Sequence, residues 1–333
     1  MIKVGLHGCG RVGKALLKIL NKKENIEVLF IKTSKTALKD RDGLSEDILS
    51  AVINEDLKGD EDQDLLSLIK ETQIHYLFEL TPTNLEEKEA VHSLLQEVLD
   101  LGVSVITANK APILHDYVSL ANKAREKKVG LGLSGVMGAS LPSYALAHYG
   151  TLGSKVVEIK GILNGTSNYI LSRMEDGHPF VEVMEEAIDQ GIAEPNYAYD
   201  VDGFDAAVKM SIIASVIEHK NISFNREDVS GIRSLSYEDF KEAEERDTRL
   251  KLVASYRDGR VRVRVENISW DDPYYFVSGA EKILTLRTEG LGEMSVLGGV
   301  SGLEPVAYSL LRDLYTIEEQ KQNHGNGDSS LGM

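Results

Sequence analysis

The stretch "IKVGLHGCGRVGKALLKIL", residues 2–20, decides the fold. Residues 2–7 are a short apolar run, glycines follow at 8, 10 and 13, and the amphipathic "KALLKILNKK" comes directly after. A strand that turns sharply into a helix needs this order. Gly8 allows the tight turn, Gly10 lets a ligand approach the backbone, and Gly13 lets helix and strand pack closely. With Arg11 and Val12 opening the helix, backbone N–H groups and the helix dipole converge on one spot, which suits a phosphate. Cys9 lies inside the loop and reads as a small filler, not a nucleophile.

Outward from this loop, strands and helices alternate. "IEVLFIKTS", "HYLFEL" (75–80) and "VSVITAN" (103–109) read as strands, and "LEEKEAVHSLLQEVLDLG" as a helix between the last two. "SEDILSAVINEDLKGDEDQDLLSLIKE" reads as an insertion of two short helices around the acidic run Asp60–Asp64. Such alternation predicts an α/β domain with a doubly wound parallel sheet, a Rossmann-type nucleotide-binding domain over residues 1–135. After Gly150 the character changes. "SKVVEIKGIL", "VRVRVENIS", "YYFVSG", "KILTLRT" and "SVLGG" read as strands with one covered face, and "NYILSRME" and "FVEVMEEAIDQG" as helices. This predicts a second, α+β domain over 136–302, a helix over 303–317 packing back on the first domain, and a disordered tail over 321–333.

The bulk numbers agree with two soluble domains. The chain has 333 residues, 42% hydrophobic and 27% charged. A net charge of -16 argues against nucleic acid or an anionic membrane surface as a partner, while a helix terminus can still hold an anionic cofactor. One cysteine excludes an intramolecular disulfide and a cysteine zinc cluster, and fits a reducing cytoplasm. The sequence enters a strand at once, so no signal peptide is expected, and no apolar run nears the roughly 20 residues of a membrane span. The eight histidines are scattered.

Nucleotide choice is read at the end of the second strand, where an acid would bind the ribose hydroxyls of NAD. Here the strand ends "IKTSK" with no acid, and Lys32, Ser34 and Lys35 suit a 2′-phosphate. NADP is the expected cofactor, with NAD the alternative.

A second stretch sets a puzzle. In "YDVDGFDAAVKMSIIASV" (199–216), Asp205 and Lys209 lie one helical turn apart and in line with Ile212, Ile213 and Val216. An exposed pair at this spacing contributes only about 0.3–0.5 kcal/mol. Flanked by apolar residues, the two charges need partners or a task, and a substrate pocket supplies both.

"GILNGTSNYILSRM" (161–174), "GIAEPNYAYDVDGFDAAVK" (191–209) and "TANK" (107–110) together resemble the homoserine dehydrogenase family, over about residues 1–317. The resemblance implies NAD(P)-dependent interconversion of L-homoserine and L-aspartate 4-semialdehyde by a short, monofunctional homodimer, with residues 136–302 as the α+β substrate-binding and dimerisation domain. Matched by position, Lys209 resembles the family's catalytic lysine and Asp205 its partner carboxylate at the substrate. Glu194 and Asp200 match acidic positions that bind the amino acid, and Lys110 matches a lysine at the cofactor–substrate boundary, the alternative to Lys209 as proton donor. Thr81 and Thr83 match the loop that lies against the cofactor, and Gly191, Ser301 and Gly302 fall where the family closes over the nicotinamide. The resemblance also brings in a sodium ion, here on the backbone carbonyls of Met137 and Ala139, with Ser134 standing where an acid is usual. Two other readings are another NADP-dependent oxidoreductase of a small amino or hydroxy acid, and a non-catalytic NADP-sensing relative. Aspartate-semialdehyde dehydrogenase needs a catalytic cysteine in the second domain, which this chain lacks.

Overall fold

Strand β1 (Ile2–His7) runs into the glycine loop and then α1 (Arg11–Leu20), and the rest of the first unit is built around this pair. The computed structural model describes residues 1–54, 59–61, 63–193 and 197–325. The chain forms two units: Met1–Ala139 together with the chain from Leu303 onward, and Ser140–Gly302.

In the first unit the strands are β1, β2 (Ile26–Lys32), β3 (Thr36–Lys39), β4 (Asp60–Glu61), β5 (Tyr76–Glu79), β6 (Ser104–Thr107) and β7 (Leu131–Gly132). They lie in the order β4-β3-β2-β1-β5-β6-β7. From β2 to β7 neighbours are parallel, with Ile2 opposite Ile26 and Val4 opposite Tyr76. β3 and β4 add an antiparallel edge that the sequence reading does not foresee. The cause is turn chemistry. Thr33 N–H donates to the Thr36 carbonyl at 2.8 Å and Thr36 N–H to the Thr33 hydroxyl at 3.1 Å, so the chain reverses at once. The helices are α2 (Glu46–Asn54), α3 (Leu65–Thr72), α4 (Lys88–Asp100) and α5 (Lys110–Lys127). Within the acidic insertion, Asp64 caps α3, accepting from Ser67 N–H at 2.9 Å.

The second unit carries α6 (Ser143–Tyr149), β8 (Val156–Ile162), α7 (Gly165–Glu175), α8 (Phe180–Asp189), α9 (Ala198–Val201), α10 (Phe204–Glu218) and α11 (Tyr237–Glu245). Its remaining strands are β9 (Thr248–Arg257), β10 (Arg260–Ser269), β11 (Lys282–Thr288) and β12 (Gly292–Gly298), in the antiparallel order β10-β9-β8-β11-β12. The expected strand at "YYFVSG" is a 3-10 turn, Pro273–Phe276, because Asp272 caps it by accepting from Tyr274 N–H at 2.9 Å. Alternating side chains divide the sheet. Leu284 and Leu286 of β11 are buried, whereas Thr285 and Arg287 join Glu158 and Ser295 on a polar face.

Helix α12 (Leu303–Gly325) returns to the first unit. Ala307, Leu310, Leu311, Leu314 and Ile317 enter the core shared by β1, β2 and α1. Three glycines make room for it. A Cβ on Gly130 would lie 2.5 Å from Ile317, one on Gly132 would lie 2.8 Å from Asp313, and one on Gly135 would lie 3.0 Å from Leu310. The helix runs eight residues past the expected end at 317. The expected disordered tail therefore begins too early at 321: Glu318 accepts a hydrogen bond from the Tyr76 hydroxyl, and the Lys321 ammonium sits 4.3 Å from the Tyr76 ring centre. Residues 326–333 of that tail lie outside the described residues.

Asp313 is buried, and its carboxylate accepts from Ser134 N–H at 2.8 Å and the Ser134 hydroxyl at 2.6 Å. Burial pushes its carboxyl up to about 6, against the lowering effect of Ser134 and of Arg312. The folded protein thus holds this proton more tightly than the unfolded chain. Stability from the group is full below the unfolded value and falls as pH rises through about 6. Relative to Asp313→Asn, the wild type should lose ~1–3 kcal/mol of unfolding free energy between about pH 4 and pH 7. Denaturant unfolding of both proteins across that range checks this; a constant difference would contradict it.

Candidate active site

In the first unit the groups around the glycine loop form one cradle. Gly8 has φ 99, and a Cβ there would lie 2.5 Å from the Leu80 carbonyl carbon; on Gly13 it would lie 2.9 Å from the Gly8 oxygen. A Cβ on Gly10, by contrast, meets nothing within 4 Å. Gly10 caps α1 without a side chain, and the first turn of α1 holds no acid. This open space at a ten-residue helix start, beside Arg11 and Val12, fits the pyrophosphate of a dinucleotide. Burial pushes the Cys9 thiol up to about 11, which keeps it protonated and inert.

The strand ends beside the loop carry a network. Glu79 is fully buried at the end of β5; His7 Nδ1 lies 2.5 Å from its Oε2, and Thr81 donates to its Oε1 through both N–H and hydroxyl. Asn109 Nδ2 donates to the Thr81 hydroxyl at 3.0 Å, and Lys110 N–H to the Thr83 hydroxyl at 3.1 Å. Thr81 is thus bonded to Asn109, and Thr83 to the backbone of Lys110. The His7–Glu79 pair escapes sequence reading, although a glutamate ending a wholly buried four-residue strand is a signal for it. Lys32, Ser34 and Lys35 sit at the turn between β2 and β3, Lys32 buried and the other two exposed.

The second unit builds its cluster on Asn164, which stands between β8 and α7. The Asn164 Oδ1 caps α7, accepting from Ser167 N–H at 2.8 Å. Its Nδ2 donates to Asp200 Oδ1 at 2.6 Å and to Asp205 Oδ2 at 2.8 Å. Lys209 Nζ donates to the same Asp205 oxygen at 2.6 Å and to the Leu163 carbonyl at 3.1 Å. Helix α10 has buried residues all round, not only on one stripe, and Asp205 is 5% exposed. The surface-pair reading of Asp205 and Lys209 therefore fails. Each charge taken from water costs several kcal/mol, and here that is offset by mutual attraction and two further hydrogen bonds.

Other expected residues gather at the start of α7. The Ser301 hydroxyl donates to the Ala280 carbonyl at 3.3 Å, and a Cβ on Gly165 would lie 2.4 Å from that hydroxyl. Gly302 follows with φ 136. Gly191, φ 71, precedes Ile192, whose carbonyl accepts from the Thr166 hydroxyl at 2.9 Å. Glu194 lies outside the described residues. Two groups were not legible in sequence. Among the described residues the buried Tyr199 hydroxyl has no hydrogen-bond partner, and burial, Asp205 and Asp200 push it up to about 12. Lys282 is 5% exposed and lies near both Asp205 and Lys209.

The Ala139 carbonyl does not fit the sodium ion. Ala139, φ 55, turns its carbonyl to the Arg312 guanidinium, which donates to it at 2.8 Å. That oxygen already meets a positive charge, and a second cation on it would be repelled. Ser134 adds no charge of its own and engages Asp313. Among the described residues no group of three or more His, Cys, Asp or Glu gathers to hold a metal.

A dinucleotide cradle on a parallel sheet, joined to a second unit with a buried lysine–carboxylate cluster, is the build of a NAD(P)-dependent oxidoreductase. The homoserine dehydrogenase NAD-binding-domain model matches residues 8–132, and the homoserine dehydrogenase model matches residues 142–315. The chain belongs to the homoserine dehydrogenase family. A homoserine dehydrogenase of Sulfurisphaera tokodaii is 31% identical over 95% of this chain and 99% of its own. A NAD(+)-dependent homoserine dehydrogenase of Pseudomonas canavaninivorans is 32% identical over 78% of this chain and 76% of its own. A crystal structure from Archaeoglobus fulgidus matches with a TM-score of 0.84 at 28% identity, over 95% of this chain and 99% of that one. The reaction is the NAD(P)-dependent interconversion of L-homoserine and L-aspartate 4-semialdehyde, a step of amino-acid biosynthesis. Among the described residues no helix is long and apolar enough to cross a membrane.

Proposed function

We propose that Lys209 carries the proton of this reaction, with Asp205 positioning it and NADP as the preferred nucleotide. The nicotinamide, when bound, supplies or accepts the hydride. In homoserine oxidation the hydroxyl O–H bond breaks toward the Lys209 amine while the adjacent carbon gives up its hydride and the C=O bond forms. In reduction the hydride adds to the carbonyl carbon, and the Lys209 ammonium protonates the developing alkoxide. The observation that carries the reading is the 2.6 Å contact of Lys209 with a buried Asp205 that Asn164 also holds. Two of the three ammonium hydrogens are fixed by Asp205 and Leu163, which aims the third. Asp200 and Glu194 are assigned to the substrate ammonium, and Lys110 to the cofactor–substrate boundary.

We assign Gly8, Gly10, Arg11, Val12 and Gly13 to the pyrophosphate, Lys32, Ser34 and Lys35 to a 2′-phosphate, and Thr81 and Thr83 to the rest of the nucleotide; for Gly191, Ser301 and Gly302 of the second unit, a role toward the nicotinamide is what the family resemblance implies. No acid ends β2, which supports NADP over NAD. With saturating L-homoserine, kcat/KM should be higher for NADP than for NAD by about tenfold or more, and Lys32→Ala with Lys35→Ala should narrow the gap. A preference for NAD, or an unchanged ratio in the double variant, would remove the assignment.

The same reading places the protein in the cytoplasm, in threonine and methionine biosynthesis, as a homodimer through the second unit. Edge strand β12 and its surroundings expose Leu291, Leu297 and Val300, which supports pairing there. A light-scattering mass of a single 36.7 kDa chain would remove the dimer.

A further inference from the structure

Homoserine and its aldehyde each present three groups: an ammonium, a reacting oxygen and a carboxylate. The proposed site accounts for the first two. A carboxylate brought out of water beside Asp200 and Asp205 costs several kcal/mol unless a cation meets it. Lys209 cannot serve, because two of its hydrogens go to Asp205 and Leu163 and its one remaining position is assigned to the reacting oxygen.

Lys282 stands where that cation is needed. The β11–β8 register pairs Ile283 with Ile162, so Lys282 occupies the rung of Leu163, the residue whose carbonyl receives Lys209. It lies on the side of β11 shared with the buried Leu284 and Leu286. The Lys282 side chain ends 3.3 Å from the Ser140 hydroxyl, which itself donates to the Val300 carbonyl at 2.7 Å. We propose that Lys282 binds the substrate carboxylate and so makes the enzyme specific for an amino acid over a simple amino alcohol. The proposal rests on the homoserine reaction assigned above. Burial first, then the charge of Lys209, press the Lys282 ammonium down to about 8, partly offset by Asp205. An arriving carboxylate relieves that strain, so the site is prepared for an anion.

The experiment compares L-homoserine with 3-aminopropan-1-ol, which lacks the carboxylate, in wild type, Lys282→Met and Lys282→Arg. Wild type should favour homoserine in kcat/KM by about 10²-fold, the scale of one charge-assisted contact. Lys282→Met should bring that ratio below about tenfold, mainly through the KM for homoserine, while NADPH affinity and melting temperature stay near wild type. Lys282→Arg should keep most of the discrimination. A Lys282→Met enzyme that still discriminates like wild type, or that loses equally on both substrates, overturns the role of Lys282 alone. Absence of homoserine turnover in the wild type overturns the reaction assignment and this proposal together.

Discussion

Replacing Lys209 by alanine should lower turnover of L-homoserine by about 10²–10⁴-fold, the range for a positioned acid–base group, while NADPH binding stays nearly intact. The two effects separate because Lys209 lies in the second unit, whereas the glycine cradle lies in the first. Asp205→Asn should also impair turnover and raise KM, since it leaves Lys209 and Asn164 without the carboxylate they share. Were the pair ordinary surface charges, either change would shift stability by about 0.3–0.5 kcal/mol and leave the rate alone. Rate and stability measured on one preparation distinguish the two. A Lys209→Ala enzyme with near-normal turnover would move the search for the proton donor to Lys110.

The second large effect is expected at Gly10. Its backbone, φ -77 and ψ -157, is extended with a negative φ, so the position does not require glycine, and among the described residues nothing stands within 4 Å of a Cβ there. Gly10→Val should therefore fold normally. Its side chain fills the space proposed for the pyrophosphate and removes two or more charge-assisted backbone hydrogen bonds, so NADPH affinity should fall by about 10²-fold or more. Gly13→Ala is the contrast, because its Cβ would press on the Gly8 oxygen and cost stability as well. Calorimetric titration with NADPH, beside thermal unfolding, checks both. A Gly10→Val protein that binds NADPH normally would place the nucleotide elsewhere.

How much of this was legible in sequence depends on the range of the interactions. The glycine loop, the parallel strands and the Asp205–Lys209 spacing are local patterns, read from a few neighbouring residues. The β3 edge was missed because a threonine side chain, not glycine or proline, makes its turn. Strand β9 was missed because buried Leu250 to Ala254 break the alternation, with Lys251 satisfied inside by the Val277 carbonyl at 2.8 Å. The tie of Ser134 to Asp313 spans 179 residues, and nothing near Ser134 announces it. Asn164, Lys282 and the His7–Glu79 pair are of the same kind. Each is one polar residue whose partners arrive only when distant strands and helices are packed.

The chain passes hydride between homoserine and a nicotinamide nucleotide, and we propose that its own Lys209 moves the proton. Incubating the wild-type protein with L-homoserine and NADP tests this most directly, measuring NADPH by absorbance and L-aspartate 4-semialdehyde by chemical trapping. The two products should form in equal amounts, and the reaction should run in reverse when semialdehyde and NADPH are supplied. Tight NADPH binding with neither product formed, with NADP or with NAD, would contradict this.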